Sequence, residues 1–263
     1  MKLFSYKSVL LLCCYFLTAS LTYRGSGPKK ETYQLTFYHF TTSAQETILN
    51  NYLKNALLPA LHRYGYKNIG VFRLIDNDTA VVKKMCVYLP IKDLEDHLAI
   101  SEKLAKDKNY QKQGADYINA LYTNAAYTRM EVVLMKAFSL APQMKLPKLA
   151  AARSERIYEL RSYESATEKI FANKVHMFNE GGEIDLFNRL NFNAVFYAEV
   201  VAGSHMPNLM YMTSFENKAD RETHWKNFGN SPEWKRLSAL PQYQHNVSHI
   251  DIMLLQPMEY SDF

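Results

Sequence analysis

Thr32-Tyr33-Gln34-Leu35 is answered, far along the chain, by Ile157-Tyr158-Glu159-Leu160, and Gly70-Val71-Phe72 is answered by Ala194-Val195-Phe196. Further on, Tyr88-Leu89-Pro90-Ile91-Lys92-Asp93-Leu94-Glu95-Asp96-His97 aligns with Phe215-Glu216-Asn217-Lys218-Ala219-Asp220-Arg221-Glu222-Thr223-His224, with Asp, Glu and His in step. Matches this long, in the same order and with small changes of offset, are the mark of a duplicated unit. The chain therefore divides into a first unit over 31–138, a linker over 139–155 and a second unit over 156–258. Function is to be sought on these units or between them.

The second unit reads most easily. Ile157 to Tyr163 alternates and is rich in aromatics, which predicts a strand, and Ala166 to Phe178 has helical spacing. Gly181-Gly182 interrupts that helix, which resumes through Leu186, Phe187 and Leu190. Ala194 to Val201 and Leu209 to Phe215 are predicted as paired strands around a turn holding Pro207. A helix over Lys218 to Phe228 follows, then a short one begun by Ser231 as cap and Pro232 at its first position, then a strand over Val247 to Leu255. Strand, helix, strand, strand, helix, strand predicts an α+β fold: two tandem ferredoxin-like domains, each an antiparallel sheet with its helices on one face.

The length of 263 residues and 48% hydrophobic composition suit two domains of about one hundred residues each. The formal charge of +5 falls to +3 without Lys2 and Lys7, too mild a balance for nucleic acid. Lys2 and Lys7, the apolar run from Val9 to Leu17 and then Thr18-Ala19-Ser20 form the pattern of a cleaved signal peptide over 1–20, followed by a tether over 21–30. The apolar run is shorter than the roughly 20 residues of a membrane span. A secreted or periplasmic location is expected. A lipid anchor on Cys13 or Cys14 is the alternative, although Leu12 stands where a lipid-attachment motif needs a small residue. Removal of the signal leaves Cys86 alone, expected as a small buried hydrophobe. Asn77-Asp78-Thr79 and Asn246-Val247-Ser248 match the glycosylation acceptor pattern.

Strand alternation nominates a polar face. Tyr158 and Leu160, Phe196 and Ala198, and Ile250, Ile252 and Leu254 are assigned to the helices. That leaves Glu159, Arg161, Tyr163, Tyr197, Glu199, His249, Asp251 and Met253 on the opposite face, with Gln34, Thr36, Tyr38, Arg73, Arg129 and Glu131 as the first unit's counterparts. Charges enclosed between two such faces need mutual pairing or a wet pocket. Arg161, Tyr163, Tyr197, Glu199, His249 and Asp251 are the candidate ligand-binding residues. Structural ion pairs are the competing reading.

The run Arg156-Ile157-Tyr158-Glu159-Leu160-Arg161-Ser162-Tyr163, with Asn208-Leu209-Met210-Tyr211-Met212, His224-Trp225-Lys226 and Pro232-Glu233-Trp234, closely resembles the NIPSNAP family. The likeness spans the second unit. In the first it is degenerate, with Leu98 where Trp225 stands and Tyr110 where Trp234 stands. The resemblance implies the dimeric α/β-barrel superfamily, a barrel closed within the chain or across a homodimer, and hence a homo-oligomer as an expected partner. It implies no reaction, because the family has no agreed catalytic residues. Its animal members are associated with mitochondria and vesicle traffic as binding proteins. The superfamily also holds cofactor-free monooxygenases and haem-handling enzymes.

No nucleophile elbow, phosphate loop or dinucleotide fingerprint is present. His176 beside Val175, Met177 and Phe178 reads as packed, and His245 and His249 straddle a loop and a strand, so no metal and no cofactor is expected. Trp225, Phe228 and Trp234 read as the apolar side of a helix pair. Two functions remain: a non-catalytic small-molecule-binding or assembly scaffold, or a monooxygenase-like enzyme working on the polar face of the second unit. An enzyme needs an open cavity at those residues; a scaffold can have every charge paired.

Overall fold

Alternation builds eight strands, and the computed structural model, which describes residues 28–263, closes them into one barrel. The expected leader over 1–20, its cysteines and most of the tether lie outside the described residues. The first unit contributes β1 (Thr32–Phe40), β2 (Gly70–Leu74), β3 (Lys83–Ile91) and β4 (Arg129–Ala137), and the second β5 (Ile157–Glu164), β6 (Phe196–Ala202), β7 (Asn208–Phe215) and β8 (His249–Pro257). Around the barrel the order is β1-β3-β2-β8-β5-β7-β6-β4. All pairs are antiparallel, including the two that join the units, β2 with β8 and β4 with β6. Closure within one chain abolishes the open sheet edges and the free sheet face that two separate domains would each have had to cover.

Helices cover the outside. Between β1 and β2 run α1 (Ser43–Tyr52) and α2 (Leu58–Arg63), joined by a π-turn over Leu53–Leu57. Between β3 and β4 lie four short helices, α3 (Leu94–Leu98), α4 (Ile100–Lys106), α5 (Lys108–Gln113) and α6 (Ala115–Ile118). In the second unit α7 (Glu168–Asn179) and α8 (Glu183–Arg189) precede β6, and α9 (Lys218–Asn230) and α10 (Pro232–Ser238) precede β8. Helix starts follow their caps: Thr167 accepts from the Ile170 amide, Asn217 from Asp220 and Ser231 from Trp234, and Pro232 opens α10 as expected. The break between α7 and α8 is the Gly181-Gly182 pair, and Gly182 holds a left-handed φ of 91°, a conformation glycine adopts without penalty.

Three cores result. The barrel interior is filled by Tyr33, Phe72, Tyr88, Tyr158 and Phe196 with Leu35, Leu160, Met212 and Leu255, and Cys86 is buried among them as expected. Tyr88 stacks on Phe196 with centroids 5.0 Å apart. Burial of side chains of this size is worth roughly 1.5–3 kcal/mol each. The other two cores lie between barrel and helices, one per unit. The linker is a fastened strap rather than a loose bridge. Glu31 accepts from the Met144 amide at 2.7 Å, and Glu216 accepts from Ala150 and Ala151, which holds its carboxyl below the usual range. Met144 and Leu149 of the strap, with Phe263, close one end of the barrel.

The register corrects the alignment of the units. Leu35 pairs with Tyr88 and Leu160 with Met212, so Tyr88 corresponds to Met212, three residues before the Phe215 that sequence matching aligned with it. Both acceptor motifs hold structural asparagines. Buried Asn77 exchanges two hydrogen bonds of 2.8 Å with the Lys84 backbone, and buried Asn246 accepts from Asn173.

Candidate functional site

The six nominated residues do not share a face. Tyr158 and Leu160 point into the barrel, so Glu159, Arg161 and Tyr163 point outward beneath α7 and α9, the reverse of the expectation. Likewise Phe196 and Ala198 are interior, and Tyr197 lies under the helices, packed on Phe178 and Phe187. Glu199, two residues on, has the same outward parity and is half-buried. Only β8 follows the expected orientation: Asp251 pairs with Ser162 and Met253 with Leu160 on the interior side, with His249 at the strand's start. Even there Ile250 and Ile252 are 46% exposed, and only Leu254 packs into the helical core. The first unit divides in the same way. Gln34, Thr36, Tyr38 and Arg73 face outward, whereas Arg129 and Glu131 stand at the barrel end. The physical reason is closure: a closed barrel's interior is drier than its helix-covered outside, so the more apolar parity of β5 and β6 turns inward.

Beneath α9 the outward residues form a saturated network. Glu159 is fully buried, and its two oxygens accept from Arg161 Nε and Arg221 Nε, each at 2.6 Å, and from Trp225 Nε1 at 2.7 Å. Arg161 stacks over Trp225, 3.7 Å from the ring centroid, and donates to the Tyr163 hydroxyl at 3.1 Å. Tyr163 and Tyr211 share a hydrogen bond of 2.8 Å. Beside them Lys174 and Glu183, both buried, pair at 2.9 Å. Burial pushes the Tyr211 and Tyr197 phenols well up, with the neighbouring Tyr163 and Glu183 adding to it, respectively. A buried carboxylate with both oxygens occupied is a structural ion cluster rather than an open site. His176, bonded to Tyr243 at 2.8 Å, is likewise a packing residue.

The open end of the barrel is different. Opposite the strapped end lies a cavity of about 320 Å³ to which both units contribute. From the first come Phe37, Lys84 and Glu131, and from the second Ser162, Asn208 and Asp251, with His205 from the turn between β6 and β7. The registers make these counterparts: Phe37 pairs with Glu131 as Ser162 pairs with Asp251, and His39 pairs with Lys84 as Glu164 pairs with Asn208. The cavity thus lies where strands of the two halves meet. Glu131 is bound by Arg129 at 2.7 Å, Asp251 meets His249 at 3.2 Å, and Glu164 meets His205 at 2.9 Å. Asn208 is 2% exposed; its Nδ2 donates to Ser162 Oγ at 2.7 Å while its Oδ1 has no partner. Sequence reasoning reached Asp251, His249 and Glu131 but missed Glu164, His205 and Asn208. The turn Gly203-Ser204-His205-Met206-Pro207 reads as a turn and nothing more, because only barrel closure brings it over β5 and β8. Other hollows lie outside the barrel, three of them against the strap.

This geometry defines an α+β protein with a closed eight-stranded barrel whose walls are packed and whose one open end is polar. Residues 158–262, almost the whole second half, match the NIPSNAP family. Among solved structures, a Lactobacillus acidophilus NCFM protein provisionally named a monooxygenase is similar, with TM-score 0.56 at 10% identity over 87% of this chain and 94% of that one. An anthrone oxidase-like protein is similar with TM-score 0.51 at 10% identity over 88% and 92%. A NIPSNAP-like domain protein from Burkholderia xenovorans aligns with 41% of this chain and 90% of its own, at 18% identity and TM-score 0.37. At these identities the first two likenesses show the fold alone. No curated protein matches. Among the described residues, no helix is long and apolar enough to cross a membrane.

Proposed function

We propose that the protein is a non-catalytic binding protein of NIPSNAP type that holds a small polar molecule at the open end of its barrel. The observation that carries this is the contrast between a 320 Å³ cavity at the junction of the two halves and a helix-covered ion cluster whose carboxylate oxygens are both taken. The volume falls at the lower end of the roughly 300–1,000 Å³ of small-ligand sites. Glu131, Asp251, Ser162 and the unpartnered Asn208 Oδ1 supply acceptors, Lys84 a cation, and Val133, Met210 and Met253 an apolar wall, so the ligand is a small one that pairs hydroxyl or amine donors with an apolar part. The equivalent registers of the halves support descent of 31–138 and 156–258 from one duplicated unit. Export through the leader over 1–20 belongs to the same proposal, and N-terminal sequencing of the mature protein tests it. Monooxygenase-like chemistry, the alternative, has the fold likeness behind it. Weighing against it, Arg161 and Tyr197 lie on the opposite side of the barrel wall from Asp251.

Native mass spectrometry of protein purified from its own host tests the reading. A retained molecule of small mass, lost in Asp251→Asn and Glu131→Gln without change in unfolding midpoint, is the expected result. A ligand-free protein, or a ligand kept by both variants, refutes it.

A further inference from the structure

At the rim of the same cavity three ligand-bearing side chains converge from separate segments: Glu164 at the end of β5, His205 in the turn between β6 and β7, and Asp251 on β8. One ligand atom from each lies within 4.8 Å of the other two. Glu164 Oε1 and His205 Nδ1 are already 2.9 Å apart. His205 itself sits at φ 64°, a left-handed conformation uncommon for a residue with a side chain. Beside them Asn208, paired with Glu164 across the sheet, keeps its Oδ1 buried in the cavity wall without a partner. A buried amide oxygen left unsatisfied is costly, and an ion or its bound water at this rim would satisfy it.

We propose that Glu164, His205 and Asp251 bind one divalent transition-metal ion of the zinc class at the barrel mouth. The set goes beyond the organic-ligand reading and needs only the mouth's geometry. Two carboxylates balance a double positive charge, and an imidazole nitrogen selects zinc-class ions over magnesium or calcium, which prefer all-oxygen shells. Metal–ligand bonds of about 2.0–2.2 Å bring the ligand atoms of a tetrahedral site closer together than 4.8 Å. The contraction falls on three side chains that are not buried, so rotamer adjustment suffices. Three protein ligands leave a fourth position, which water, the cavity ligand or His249 would fill; His249 now bonds to Asp251. No ligand spacing is visible along the chain because the three residues come together only when β5, β7 and β8 are in register.

The test is a titration of chelator-treated, full-length protein with Zn²⁺ by calorimetry and with Co²⁺ by visible absorption. The expected result is one ion per chain and visible bands of low-coordinate Co²⁺. His205→Ala, Glu164→Gln and the near-isosteric Asp251→Asn should each weaken binding by at least about tenfold. His62→Ala, which removes a surface histidine bonded to Asp262 at 3.1 Å, serves as the control and should bind as the parent does. Absence of one-to-one binding overturns the site, as does binding that survives His205→Ala or falls equally in His62→Ala. Unfolding midpoints measured alongside separate ligand loss from misfolding. The organic-ligand reading stands or falls separately, since chelator-treated protein that still carries a small molecule upholds that reading whatever the metal does.

Discussion

Beneath their helices the two halves solve one packing problem with different chemistry. In the second, Glu159 takes two arginines and a tryptophan. In the first, the matching Gln34 takes His97 at 2.8 Å and gives to Thr36 at 3.0 Å. The corrected register makes His97 the counterpart of Arg221 rather than of His224. An amide–imidazole pair therefore does in one half what a carboxylate with two arginines does in the other. The ionic cluster is one of two ways to pin a helix on a barrel, which is why its charges are no sign of a reaction. At the barrel mouth the counterparts from both halves line one shared cavity, and that is where a site can form.

The largest expected effect is one in which the halves should behave alike. Burial pushes up the phenols of Tyr52 under the first unit's helices, Tyr88 inside the barrel, and Tyr197 and Tyr211 under the second's. Each holds its proton more tightly folded than unfolded, so their stability contribution is complete below the ordinary phenol value of about 10 and falls as pH rises above it. At about 1.4 kcal/mol per pH unit and phenol, the four exhaust a typical stability of about 5–15 kcal/mol by roughly pH 12. Tyrosinate absorbance and far-UV circular dichroism should then change together in one transition. Independent titration of the phenols in a folded protein would contradict their burial.

Next in size is the substitution that separates the halves. Glu159→Ala leaves two partly buried arginines without their fully buried counter-charge and should cost about 3–5 kcal/mol in denaturant unfolding. Gln34→Ala removes the hydrogen bonds of an uncharged amide and should cost about 1–3 kcal/mol. Equal costs would break the comparison. Installing the first half's pair in the second as E159Q/R221H sharpens it: the two changes should couple by about 0.5–3 kcal/mol in a double-mutant cycle, because each residue alone is left mismatched. Additive costs would show that Glu159 and Arg221 are not partners. The smallest effect is expected at Tyr197, whose hydroxyl is buried without a partner. Tyr197→Phe should lie within about 0.5 kcal/mol of the parent or slightly above it in stability. A loss well beyond that would point to a hydrogen bond to the Tyr197 hydroxyl.

In the second unit element order and type were readable from the sequence, because period-two strands and capped helices declare themselves locally: Thr167, Asn217, Ser231 and Gly182 stand where helices start. The direction each strand faces was not. In β5, Tyr158 and Leu160 suit a helix interface as well as a barrel interior, and only closure of the sheet decides between them. β8 was readable because its polar residues His249 and Asp251 share one parity while Ile250, Ile252 and Leu254 hold the other. The offset of three between Tyr88 and its true counterpart was concealed by a coincidence of Asp, Glu and His in the two helices. Glu164 and His205, far apart along the chain, become neighbours through the pairing of β5 with β7 and β8.

The central claim is that binding belongs to the mouth where the halves meet and not to the layer beneath the helices. It is tested most directly by comparing the small molecule retained in native mass spectrometry by the parent, Asp251→Asn and Tyr197→Phe proteins. The expected result is a ligand present in the parent and in Tyr197→Phe and absent from Asp251→Asn. Retention in Asp251→Asn with loss in Tyr197→Phe would place the site under the helices and contradict this account.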